Sequence, residues 1–136
     1  MGRVIRAGVS FPEELLKSFD RIVRELGLGS RSHGIQEAIR AFISINSWRL
    51  SGGEQVAGVL LVHYSHEERG LEERLTDIQH DFIKIIPSTL HLHLTKEDCL
   101  LLIAVRGKVS EIKKLTNRIR GAGKLKQLMP VIVPIY

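Results

Sequence analysis

The stretch Cys99–Val105 constrains this chain more than any other, because both of its alternating sets are apolar. Cys99, Leu101, Ile103 and Val105 form one set, and Leu100, Leu102 and Ala104 the other. A β-strand sends successive side chains to opposite faces, so such a strand has to be buried on both. The surrounding sequence supplies helices for one face. Val56–Tyr64 is β-rich, Leu71–Ile86 is amphipathic at helical spacing and stops at Pro87, and Leu90–Leu94 and Cys99–Arg106 read as strands. Ser110–Ile119 is a second helix and Leu125–Pro134 a last strand. The order βαββαβ predicts a ferredoxin-like sheet with both helices on one face. The remaining apolar face predicts another subunit.

The chain before Asn46 poses a similar problem. Val4–Phe11 alternates, with Ala7, Val9 and Phe11 on one side and Arg6, Gly8 and Ser10 on the other. Ser10-x-x-Glu13 has the form of a capping box, and Pro12 suits a first helical turn. Leu15, Leu16, Phe19, Ile22, Val23 and Leu26 recur at helical spacing up to Gly27-Leu28-Gly29. Ser30 then caps a second helix whose stripe is Ile35, Ala38, Ile39, Phe42 and Ile43. A single strand with nothing to pair leaves its backbone groups unsatisfied, and the same strand of a second copy is the economical partner. A two-stranded ribbon fits the major groove of DNA. Arg6, Gly8 and Ser10 would then face base edges, while Ser30, Arg31 and Ser32 offer amides and a positive helix end to a phosphate. Residues 1–50 carry eight Lys/Arg against five Asp/Glu, an excess of the right sign. Asn46–Gln55 breaks the periodicity around Gly52-Gly53, which divides the chain into residues 1–50 and 51–136. Trp48 is expected at the end of the second helix.

Three of the six histidines and the single cysteine fall between His80 and Cys99. One cysteine excludes an intrachain disulfide, and no stretch reads as a signal peptide or membrane span, so a cytosolic setting is expected. Imidazole nitrogen and thiolate sulfur suit late first-row metals. His91 and His93 share one face of their strand. Leu90, Leu92 and Leu94 are expected on the helix-covered face, which would turn His91 and His93 to the open face, with Cys99 joining across the hairpin. On its helix His80 falls opposite Leu71, Leu75, Ile78, Phe82 and Ile86, so it is expected to point away from its own sheet. A four-donor site then needs His80 from one subunit and the other three from another. His33, His63 and His66 lack such a constellation and read as surface residues, His66 with a weak secondary role as a metal ligand.

The combination of Gln79-His80, Leu90-His91-Leu92-His93 and Asp98-Cys99-Leu100 resembles the nickel-responsive transcriptional regulator family, NikR, and the resemblance covers nearly the whole chain. It implies an α+β protein with an N-terminal ribbon-helix-helix (βαα) DNA-binding domain and an ACT-like βαββαβ domain for metal binding and tetramerisation. It implies Ni(II), one per subunit, in a square-planar site of His91, His93 and Cys99 with His80 of another subunit, and Gln79 orienting the ligands. It also implies a homotetramer, a dimer of dimers, on a palindromic double-stranded operator, with Arg69 near the DNA. The activity implied is repression of nickel uptake by a cytoplasmic regulator that is neither an enzyme nor a membrane protein. Two alternatives stand beside it. One is a regulator of the same architecture that responds to another transition metal or a small molecule. The other is a zinc hydrolase, for which Glu97, Asp98 and Asp81 supply no convergent general base.

Overall fold

The computed structural model describes residues 2–51 and 54–135, and the chain divides into two units, one up to Phe42 and one from Ile43. The expected break at Gly52-Gly53 lies outside the described residues.

In the first unit, residues 2–12 form no strand, and Val4 and Ile5 are 88% and 83% exposed. The alternation predicted a strand; a ladder needs a second backbone, and the single chain supplies none. Helix α1 spans Glu13–Glu25 and α2 spans Arg31–Asn46. The expected capping box is absent: Pro12 occupies the N-cap of α1 and no side chain caps it. Glu13 is thereby the first helical residue rather than the third, which leaves Ser10 outside capping range. Ser30 does cap α2, its Oγ accepting from the His33 amide at 3.1 Å. Between the helices, Gly27 and Gly29 take φ of 67° and 83°, values open to glycine. Arg31 closes the crossing by donating from Nε and an Nη to the two Asp20 oxygens at 3.1 and 2.8 Å.

In the second unit, β1 (Gln55–Ser65), α3 (Leu71–Asp81), a short 3-10 turn (Ile83–Ile85), β2 (Ser88–His93), β3 (Asp98–Lys108), α4 (Val109–Arg120) and β4 (Gln127–Pro134) follow in order. The predicted helix to Ile86 is thus shorter. The four strands are antiparallel in the order β2-β3-β1-β4, the ferredoxin-like arrangement. In the central pair Leu60 sits opposite Ile103, Val62 opposite Leu101 and Tyr64 opposite Cys99. These six side chains form the helix-covered face with Leu71 and Leu75 of α3 and Ile112, Leu115 and Ile119 of α4. Trp48, in the 3-10 turn Ser47–Leu50 after α2, is buried in this core, with the Arg49 guanidinium 4.8 Å over its ring. On the opposite face Leu61, Leu100 and Leu102 are half-buried, and Leu90, Leu92, Val131 and Val133 are exposed. The doubly apolar strand is therefore covered on one side only within the chain.

Replacing Ile103, which is fully buried, by alanine is expected to cost about 2–5 kcal/mol in urea unfolding. The hydrogen bonds and charge of Arg31 hold the Asp20 carboxyl below the usual range. A depressed folded value means that Asp20 contributes stability above its unfolded value, and that this is lost as pH falls through the folded one. An NMR titration is expected to place Asp20 low in the native protein, and Arg31→Ala to return it toward the ordinary value.

Candidate metal centre

Strand register builds the site. On β1 the even residues Leu60, Val62 and Tyr64 face the helices, and His66, just past the strand, continues that parity. Cys99 of β3 lies opposite Tyr64, His93 of β2 lies opposite Cys99, and His91 lies opposite Leu101. His91, His93 and Cys99 therefore share the helix-covered face. The expectation that Leu90, Leu92 and Leu94 take that face is overturned: Leu90 and Leu92 pair with Leu102 and Leu100 on the open side. The reason lies in the position of β2. It is an edge strand exposed along its whole length, so burial does not draw its leucines under the helices.

The donors meet where the sheet end reaches the start of α3. One ligand atom from each of His66, His91, His93 and Cys99 lies within 4.8 Å of the others. His66 Nε2 is against Cys99 Sγ and 3.5 Å from His93 Nδ1, which is 3.6 Å from the sulfur. The rings of His91 and His93 stack at 4.6 Å. Metal–nitrogen and metal–sulfur bonds of about 2.0–2.3 Å put donors around one ion within roughly 4.6 Å of each other. The set fits a single soft or borderline divalent ion with a small closing movement.

Two further groups frame the cluster. Tyr64 Oη donates to Glu72 Oε1 at 3.2 Å, and Glu72 Oε2 lies 3.2 Å from His66 Nδ1. Burial, then the Glu72 carboxylate, push the Cys99 thiol above its ordinary range, and the same two causes raise Tyr64. Cys99 is thus a thiol in the metal-free protein, and ligation has to displace its proton.

His80 stands outside the cluster. It borders a cavity between α3 and β2 together with Gln79, Thr89 and His91, rather than pointing away from its own sheet. Gln79 ties the two elements: Thr89 Oγ1 donates to its Oε1 at 3.0 Å and its Nε2 donates to Leu75 O at 3.1 Å. Of the residues expected at DNA, Arg6, Gly8, Ser10 and Ser32 are exposed, the Ser30 hydroxyl is engaged as a cap, and Arg31 is engaged with Asp20. Arg69 is exposed in the turn before α3. The sequence reading missed His66 as a member of the cluster, along with Tyr64 and Glu72. The period-two run Leu60, Val62, Tyr64, His66 was the available signal.

A ferredoxin-like sheet with a His/Cys cluster at its end defines a metal-binding regulatory fold. Residues 57–133 match the family described as the NikR C-terminal nickel-binding domain. A nickel-responsive regulator of Dictyoglomus thermophilum is 45% identical over 88% of this chain and 87% of its own. Those of Methanothrix thermoacetophila and Methanocaldococcus jannaschii are 41% and 40% identical over 92% and 98% of this chain, and over 89% and 96% of theirs. This chain belongs to the nickel-responsive regulator family. An uncharacterized protein of Thermotoga maritima shares the fold alone, with a TM-score of 0.52 at 13% identity over 61% of this chain and all of that one.

Titrated with Ni(II), the protein is expected to show a thiolate-to-metal absorption band. Cys99→Ser should abolish it. His63→Ala should leave it intact, because His63 pairs with Leu100 and Gln127 on the other face.

Proposed function

We propose that the chain is a nickel-responsive, DNA-binding transcriptional regulator that represses nickel uptake when Ni(II) is bound, and that it is not an enzyme. The observation that carries this is the convergence of His66, His91, His93 and Cys99 in a chain whose relatives bear the name of nickel-responsive regulators. The ligand set proposed for the assembled protein is His91, His93 and Cys99 with His80 of a second copy, one Ni(II) per subunit. Three nitrogens and one sulfur suit this ion.

The assembly proposed is a homotetramer. The open leucine and valine face of the second unit supports packing of that unit on further copies, since exposed apolar surface of this extent marks an interaction site. In the first unit Leu15, Ile22 and Ile39 are exposed, which supports a shared core with another first unit. Residues 4–11 would there pair as a ribbon and present Arg6, Gly8 and Ser10 to a palindromic operator. Ser30, Arg31 and Ser32 would meet phosphate at the start of α2, with Arg31 exchanging Asp20 for it, and Arg69 would add a cation. No helix of the described residues is long and apolar enough to cross a membrane, and a chromosomal target places the protein in the cytoplasm.

Bound Ni(II) supplies a divalent charge and fixed bond directions that hold its donors at one spacing. The residues transmit this. His91 and His93 stand on β2, Cys99 on β3, and His66 in the turn that leads into α3. Drawing them together fixes that turn and α3 against the hairpin. His80 brings the α3 of a second copy to the same place. Ordered α3 helices favour the arrangement in which both ribbons reach their half-sites, so metal and DNA affinities are reciprocally coupled.

A mobility-shift titration is expected to show tighter operator binding with Ni(II) than without, and equal affinity in both would overturn the reading. His80→Ala should keep three donors per subunit and lose the nickel-dependent gain.

A further inference from the structure

Glu72 has no part in the ligand set proposed above, yet it occupies the first turn of α3 directly against the cluster. Its carboxylate is held from two sides. Tyr64 Oη donates to Oε1, and His66 Nδ1 lies 3.2 Å from Oε2. The other nitrogen of the same ring, Nε2, faces Cys99 Sγ and His93 Nδ1. With its proton on Nδ1, His66 donates to Glu72 and turns an unprotonated Nε2 toward the metal-binding atoms. A carboxylate that fixes the tautomer and the ring angle of a ligating histidine is a general device of metal sites, and its loss usually costs about 10–100-fold in affinity.

We infer that Glu72 is a positioning residue for metal capture, acting through His66, and that it is the link by which the cluster holds the first turn of α3. The inference rests on the metal-binding reading of the cluster. Tyr64 completes the arrangement. Buried on β1, it fixes the carboxylate against the core, so the Glu72 side chain cannot follow the solvent. The turn between them is anchored elsewhere too. The His66 amide donates to Glu97 O at 2.6 Å, and Glu68 accepts from the Lys124 amide at 2.9 Å. The backbone is thus set without the metal, and what Glu72 adds is the orientation of one ring.

The test uses the full chain with Ni(II) as the probe, comparing wild type, Glu72→Ala, Glu72→Gln, His66→Ala and the double variant Glu72→Ala/His66→Ala. Glu72→Ala is expected to weaken nickel binding about 10–100-fold and to leave the metal-free unfolding midpoint unchanged, since the residue is exposed. Glu72→Gln retains an acceptor oxygen for His66 Nδ1–H and is expected to recover most of the affinity. In the His66→Ala background, removing Glu72 is expected to have little further effect. Hydrogen exchange should show metal-induced protection of the Leu71–Leu75 amides in wild type and a reduced gain in Glu72→Ala. Full affinity in Glu72→Ala, glutamine behaving as alanine, or equal losses in both backgrounds would each overturn the inference. Failure of wild type itself to bind Ni(II) would instead remove the reading on which it rests.

Discussion

One row of the sheet, Tyr64–Cys99–His93, is the constraint on which the rest of the second unit depends. It crosses three strands, and antiparallel pairing gives it no latitude. A slip by one residue on any strand would move that strand's side chains to the opposite face. The core enforces the register, because Leu60 with Ile103 and Val62 with Leu101 are buried under α3 and α4. Each fully buried aliphatic side chain of this kind contributes roughly 1.5–3 kcal/mol. The metal-binding atoms are therefore held by the same burial that holds the domain.

The row ends at an edge strand, and this makes a polar cluster tolerable. Cys99 is buried beside Tyr64 while His91 and His93 remain solvent-accessible. The cluster thus joins a rigid, apolar floor to an open side from which an ion, or another copy of the chain, can approach. The start of α3 forms its other wall. Glu72 faces the cluster from the first turn, and Glu68 grips the backbone of Lys124 from the turn before. Gly70, at the helix N-cap with φ of 77°, lets the chain bend sharply enough for both carboxylates to reach opposite partners. A change at the cluster is felt first by this turn, because α3 has few other polar ties: Gln79 to Thr89 at its far end, and Arg74 to the Ala122 carbonyl.

The two units differ in how complete they are as single chains. The second buries a continuous aliphatic core and leaves one sheet face open. The first buries Val23 and Gly34 but leaves most of its apolar stripe at the surface. Both incomplete surfaces were legible as unpaired sequence features: a strand apolar on both sides, and an alternating segment with no partner. Neither can be satisfied by local structure, which is why residues 4–11 stay extended and unpaired in the single chain.

By itself the sequence determined the order and type of the elements, the donors His91, His93 and Cys99, and the family. Periodicity and spacing are local quantities, and these are local facts. Tertiary structure alone decided which face carries the donors. Both alternating sets of β3 are apolar, so parity within the strand could not say which one lies under the helices. The packing of α3 and α4 on Cys99, Leu101 and Ile103 made that choice and carried His91 and His93 with it. It also brought in His66 and Glu72, which lie 33 and 27 residues from Cys99 in the chain (99 − 66 and 99 − 72). Their approach depends on β1 pairing with β3 and on the turn at Gly70, contacts that no local pattern encodes.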